Sequence, residues 1–72
     1  MNLRLQFGRK LRKLRRERDL TQEQLAEMIG ISVESISNIE RGIFAPSFET
    51  LERLRDVFNL TVSEMFDFSE GE

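Results

Sequence analysis

The stretch from Thr21 to Gly42, Thr21-Gln22-Glu23-Gln24-Leu25-Ala26-Glu27-Met28-Ile29-Gly30-Ile31-Ser32-Val33-Glu34-Ser35-Ile36-Ser37-Asn38-Ile39-Glu40-Arg41-Gly42, decides how this chain folds. It opens with a capping box. The Thr21 hydroxyl suits the backbone N–H of Gln24, and the Gln24 side chain can return to that of Thr21. Leu25, Ala26 and Ile29 then fall on one helical face. Gly30 stops the helix, because a left-handed residue is needed there and glycine takes it without strain. Ser32 is a good N-cap for a second helix running to Arg41, whose narrow apolar stripe is Ile36 and Ile39 and whose end is marked by Gly42. Two short helices thus meet across a bend of about three residues, with small Ala26 where they cross.

The rest of the chain follows the same period, and no segment alternates as a strand would. Phe7, Leu11 and Leu14 predict a helix over Phe7 to Arg18. Pro46 excludes a helical Ala45, and Ser47 caps a further helix whose expected buried face is Phe48, Leu51, Leu54, Val57 and Phe58. Asn59 suits a left-handed end. Thr61-Val62-Ser63-Glu64 is a second capping box, opening a short last helix with Val62, Met65 and Phe66. Ser69 to Glu72 is expected to fray. The fold class is therefore all-α, five helices in a single domain over 1–72 with a core at about 7–68.

The outward face of the 32–41 helix carries Val33, Glu34, Ser37, Asn38 and Arg41, opposite Ile36 and Ile39. Short polar residues suit a helix lying deep in a DNA major groove. Asn38 can bond adenine at N6 and N7, Glu34 can accept from cytosine N4, and Val33 can touch a thymine methyl. Ser32 and Ser37 can reach a base edge or a phosphate. Thr21 and Gln22 open a helix whose free N–H groups and positive dipole end favour an anion.

Charge supports this reading despite a net value of −2. Residues 1–18 carry eight Lys or Arg and one acid, while residues 19–72 carry three Arg and twelve acids. A molecule so polarised steers a polyanion by its local potential. Lys10, Lys13, Arg15, Arg41, Arg4 and Arg9 are the candidate phosphate contacts.

Residues 11 to 66 resemble the lambda-repressor/Cro-type (XRE-like) helix-turn-helix family. The resemblance rests on Leu14-Arg15, Leu20 to Ala26, Gly30-Ile31-Ser32, Ile36 to Gly42, Pro46-Ser47, Leu51, Leu54 and Leu60-Thr61-Val62. It implies a compact five-helix DNA-binding domain with its helix-turn-helix over Gln22 to Arg41, commonly binding palindromes as a two-fold dimer. It assigns Gln22 to a phosphate, and Ser32, Val33, Glu34, Ser37 and Asn38 to base edges or nearby phosphates. Arg41 and the backbone after Gly42 match phosphate-contacting positions. It implies that Arg15 pairs with Glu40, with Arg15 also facing a phosphate. Two positions depart from the family pattern. Ile43-Phe44 stand where polar or basic residues are common, and Glu34 puts negative charge on the reading face.

The expected activity is sequence-specific binding of double-stranded DNA by a transcriptional regulator, a repressor first. The alternatives are a restriction-modification controller, or an antitoxin or adaptor that also binds a protein partner. A homodimer is expected, with Met65, Phe66 and Phe68, beside Val62, as its contact surface or, equally, with Val62 and Phe66 simply completing the core. With no His, Cys or Tyr and no Gly-rich phosphate loop, neither an enzyme, a metal site nor a cofactor is expected. No apolar run approaches the roughly 20 residues that cross a bilayer, and no signal peptide precedes the domain, so the expected compartment is the cytoplasm. With no effector domain expected, regulation is expected through concentration, dimerisation or a partner.

Overall fold

The computed structural model describes residues 2–69. Five helices follow in order: α1 (Leu3–Glu17), α2 (Gln22–Ile29), α3 (Val33–Glu40), α4 (Phe48–Phe58) and α5 (Val62–Met65). Each begins at a short polar side chain that accepts a backbone N–H: Asn2, Thr21, Ser32, Ser47 and Thr61. Both expected capping boxes form, Thr21 with Gln24 and Thr61 with Glu64.

The helix ends are equally local in origin. Gly30 ends α2 at φ 76°. After α3, Gly42 takes φ 76°, and after α4, Asn59 takes φ 54°. The unexpected member is Asp19 at φ 55° after α1. There Leu20 N–H bonds the Arg15 carbonyl at 3.1 Å and Asp19 N–H bonds that of Arg16 at 3.0 Å, which closes the last turn. Asp is among the few residues besides glycine that visit this region readily.

Two expectations about α1 and α4 are corrected. α1 starts at Leu3 rather than Phe7, because the Asn2 carboxamide accepts Leu5 N–H at 2.9 Å and caps a full turn earlier. Phe48 is 85% exposed and is not part of the core. It obeys the apolar period of α4, but it stands in the first turn, beside an open groove that it shares with Leu51, Val62 and Phe66. The remaining α4 positions are placed as expected, with Leu54 and Phe58 buried and Leu51 and Val57 packed against the core.

The core is drawn from all five helices: Phe7, Leu11 and Leu14 of α1, Leu25, Ala26 and Ile29 of α2, Ile36 and Ile39 of α3, Leu54 and Phe58 of α4, and Met65 of α5. Leu25 of α2 and Ile36 of α3 are both 0% exposed and belong to this one core cluster. Burying such a side chain stabilises by about 1.5–3 kcal/mol. Met65 is 1% exposed and is corrected to a core residue. Phe66 lies on Phe7, ring centroids 5.1 Å apart, and Phe68 meets Phe66 edge-on at 6.1 Å. The apolar residues of the C-terminal segment are thus largely engaged within one copy of the chain.

Arginines bind the helices to one another. Arg18 donates to the carbonyls of Leu14 and Phe58 and lies over the Phe58 ring at 4.8 Å. Arg53 of α4 donates to the Ile29 carbonyl at 3.0 Å, satisfying the end of α2. Of the expected frayed tail, Ser69 donates its N–H to Asp67 Oδ1, and the rest lies outside the described residues.

Gly8 sets the approach of α1 to α3. It is buried, and a Cβ there would collide with the Ile39 carbonyl oxygen and sit 2.6 Å from that of Glu40. Both obstacles are backbone, so neither can rotate away. Gly8→Ala is expected to lower stability by about 1–3 kcal/mol, although alanine is the better helix former. Thermal unfolding checks this, and an unchanged midpoint would disprove the close approach.

Candidate nucleic-acid interface

The bend between α2 and α3 is Gly30-Ile31-Ser32. Ile31 N–H shares the Ala26 carbonyl with Gly30 N–H, at 3.1 and 2.9 Å, so the bend continues the hydrogen bonding of α2. Ser32 then accepts Ser35 N–H at 3.1 Å, and its hydroxyl lies 2.9 Å from that of Ser35. With Ile36 and Ile39 in the core, the opposite face of α3 is turned outward. Val33, Glu34 and Arg41 are exposed, and Ser37 and Asn38 are half-buried. Among the described residues, the side chains of Glu34, Ser37, Asn38 and Arg41 make no hydrogen bond or ion pair within the chain, so their donors and acceptors stay open. The expected strip is therefore uncovered.

The orientation of α3 is set beneath this strip by a buried charge. Glu40 has its side chain only 3% exposed, and that of Arg15 is 12% exposed. Arg15 Nε donates to Glu40 Oε2 at 2.7 Å and Arg15 Nη2 to Oε1 at 3.1 Å, a bidentate pair. Arg15 Nη1 donates to the Leu20 carbonyl at 2.7 Å. Gln22 Nε2 donates to Glu40 Oε1 at 3.1 Å. The implied Arg15–Glu40 pair is thus present, and Gln22 joins it. One carboxylate on α3 accordingly holds side chains from α1 and from the first residue of α2.

This arrangement changes what several expected phosphate contacts can offer. Gln22 spends one of its two amide N–H donors on Glu40, so it offers an anion the remaining N–H together with its position at the α2 N-terminus. The Thr21 hydroxyl accepts Gln24 N–H at 3.0 Å. Arg15 directs both edges of its guanidinium inward.

The backbone after Gly42 is largely occupied. Gly42 N–H bonds the Ile39 carbonyl at 3.0 Å, and Ile43 and Phe44 N–H both go to the Asn38 carbonyl, at 2.9 and 3.3 Å. Of the backbone expected to contact phosphate after Gly42, the N–H groups of Ile43 and Phe44 are used by the turn that terminates α3. The side chains of Ile43 and Phe44 are 43% and 53% exposed, and neither is in the core.

The basic residues of α1 divide by face. Gly8 and Arg15 look toward α3, and Arg12, one turn beyond Gly8 on that side, is exposed. Phe7 looks toward α5, and Lys10 and Lys13 lie close enough to Asp67 to act on it. Hydrogen bonds from Ser69 hold the Asp67 carboxyl below its ordinary value, and the two lysines add to this. Lys10 is thus placed on the α5 side, away from α3. Charge counting does not assign a face, and it is the i+4 relation of Arg12 to Gly8 that puts Arg12 on the α3 side.

A helix-turn-helix family model matches residues 11–65, and the chain belongs to that family. It is 38% identical over 72 residues to the control protein C.MunI of a Mycoplasma species, covering 99% of this chain and 97% of that one. It is 38% identical over 64 residues to the cryptic phage CTXphi transcriptional repressor RstR of Vibrio cholerae, covering 89% of this chain and 58% of RstR. Against the HTH-type transcriptional activator BcrR of Enterococcus faecalis the match spans 32% of the relative's length. Among solved structures, the clp gene regulator ClgR of Corynebacterium glutamicum superposes with a TM-score of 0.89 at 28% identity, over 99% of this chain and 76% of that one. The restriction-modification controller C.AhdI of Aeromonas hydrophila does so with 0.81 at 29% identity, over 86% and 94%.

Removing one partner of the buried pair leaves a charge without compensation. Arg15→Met is expected to cost about 3–5 kcal/mol, while Arg15→Met combined with Glu40→Leu recovers much of the loss. Denaturant unfolding of the two single variants and the double variant measures the coupling, and strictly additive losses would show that the pair does not set the joint.

Proposed function

We propose that this chain is a transcriptional regulator, a repressor first, that binds a palindromic site in double-stranded DNA by placing α3 in the major groove. The observation that carries the reading is the open strip Val33, Glu34, Ser37, Asn38 and Arg41 on a helix fixed from behind by Arg15, Gln22 and Glu40. Asn38 reads an adenine edge, and Glu34 accepts from a cytosine N4 amino group. Val33 meets a thymine methyl, and Ser32 and Ser37 bond base edges or phosphates. Arg41, with Thr21 and Gln22 at the N-terminus of α2, engages the sugar–phosphate backbone, and the acidic Glu34 rejects bases that offer it no donor.

Selection of bound duplexes from a random pool tests this directly, with a single enriched inverted repeat as the expected outcome. A pool that stays random would remove the reading. Against the selected site, Asn38→Ala is expected to relax one base position per half-site and cost about 1–3 kcal/mol. Equal losses on selected and random DNA would show that Asn38 does not read sequence.

A two-fold dimer would set the two α3 helices about 34 Å apart, one turn of B-DNA. Its contact is placed at Phe48 and Val62, 85% and 55% exposed, beside a groove of about 360 Å³ that Glu52 and Arg55 also line. That patch is apolar at its centre and carries both signs of charge at its edge, the make-up that a two-fold contact of one patch with itself requires. Half-buried Phe66 lines the groove as well, and Phe68 meets Phe66 edge-on. Sedimentation is expected to give a dimer for the native chain and a monomer for Phe48→Glu. A native chain that stays monomeric with and without DNA would rule the dimer out.

The near full-length likeness to C.MunI favours, among regulators, a role as a restriction-modification controller. The compartment that fits such a regulator is the cytoplasm. Among the described residues no helix is long and apolar enough to cross a membrane.

A further inference from the structure

The turn that follows α3 lacks the usual means of holding a phosphate. Its side chains at 43 and 44 are Ile and Phe, and its N–H groups from Gly42 to Phe44 are bonded within the turn. A second element lies over it. The first turn of α1 is seated on Gly42 so closely that a Cβ there would collide with the Leu5 side chain. Beside Leu5, Arg4 extends its guanidinium toward the same turn, with Nη1 3.4 Å from the Ile43 carbonyl oxygen. That bond is long and solvent-exposed, and Arg4 makes no ion pair among the described residues.

We propose that Arg4, carried on the start of α1, is a DNA phosphate-binding residue that acts with Arg41 at the turn after α3. The proposal rests on the DNA-binding reading above and adds to it a contact from an element outside the helix-turn-helix. Arg41 stands in the chain directly before Gly42, and Arg4 reaches the turn from α1, so two arginines adjoin a segment that offers no cation of its own. Of the five N–H donors of an arginine, the Ile43 carbonyl engages one, and the planar fork retains donors for a phosphate oxygen. The seating of Leu5 on Gly42 holds the α1 start in place, so the Arg4 backbone is already ordered before DNA arrives. Such a contact carries no sequence information. It strengthens binding to any duplex and fixes the register in which α3 meets the bases.

The test measures affinity for the selected duplex and for a random duplex across a salt series, using the full chain, Arg4→Ala and Arg4→Gln. Glutamine keeps a donor for the Ile43 carbonyl but has no charge. Both variants are expected to reduce the slope of log K against log salt by about 0.9, the value for one phosphate contact, and to weaken both duplexes by the same factor. Their thermal midpoints are expected to match that of the native chain. Slopes equal to the native value in both variants would overturn the proposal. So would a loss in Arg4→Ala that Arg4→Gln restores in full, since that places the role of Arg4 in bracing the turn. A native chain that binds no duplex would instead overturn the DNA-binding reading itself, which keeps the two failures apart.

Discussion

The Glu40 carboxylate lies almost fully buried where three helices converge, and both its oxygens accept hydrogen bonds, from Arg15 of α1 and Gln22 of α2. A buried charge is tolerable only when it is paired and hydrogen-bonded. Any drift of α3 relative to α1 or α2 would loosen those bonds in a medium where the lost interactions are costly. The apolar contacts around Leu25, Ala26 and Ile36 bring the helices together. The directional hydrogen bonds of Glu40 discriminate among the ways in which they might be rotated. The strip on the other side of α3 inherits that fixed angle, which is the condition for several side chains of one face to meet a partner at once.

The same constraint separates arginines that hold the molecule together from those available to a polyanion. Arg15, Arg18 and Arg53 are directed to a carboxylate, to backbone carbonyls and to an aromatic ring inside the fold. Lys10 and Lys13 act on Asp67 at the α5 side. Arg4, Arg12 and Arg41 remain exposed, and each sits beside α3 or the turn that ends it by contact, by helical spacing or by chain position. The excess of positive charge in residues 1–18 is therefore only partly a binding surface. A chain of net charge −2 can present a basic face to a polyanion because its acids lie mainly along α2, α4 and the C-terminal segment.

Much of the fold was legible because its signals are local. Thr21-Gln22-Glu23-Gln24, Ser32, Ser47 and Thr61-Val62-Ser63-Glu64 each contain both the donor and the acceptor of the cap that they form, and Gly30, Gly42 and Asn59 end helices through their own backbone preferences. The outward strip of α3 was legible for a related reason, since a 3.6-residue period fixes which side chains oppose Ile36 and Ile39. Phe48 was misplaced because periodicity reports the direction of a side chain and not whether a neighbour lies in that direction. Met65 was ambiguous for the converse reason, as an apolar residue suits equally a core and a subunit contact.

The sequence by itself determined the five helices, their limits to within a turn and the face that α3 presents, all of which follow from interactions between residues a few positions apart. Only the tertiary structure decided that Gly8 admits α1 to the carbonyls of α3, that Gln22 turns inward to Glu40, that the N–H groups after Gly42 are already bonded, and that Arg4 lies over that turn. Each of these joins residues 18 to 39 positions apart or depends on how a turn closes in space. No local preference specifies such contacts, because they exist only once the helices have been brought to their final distances.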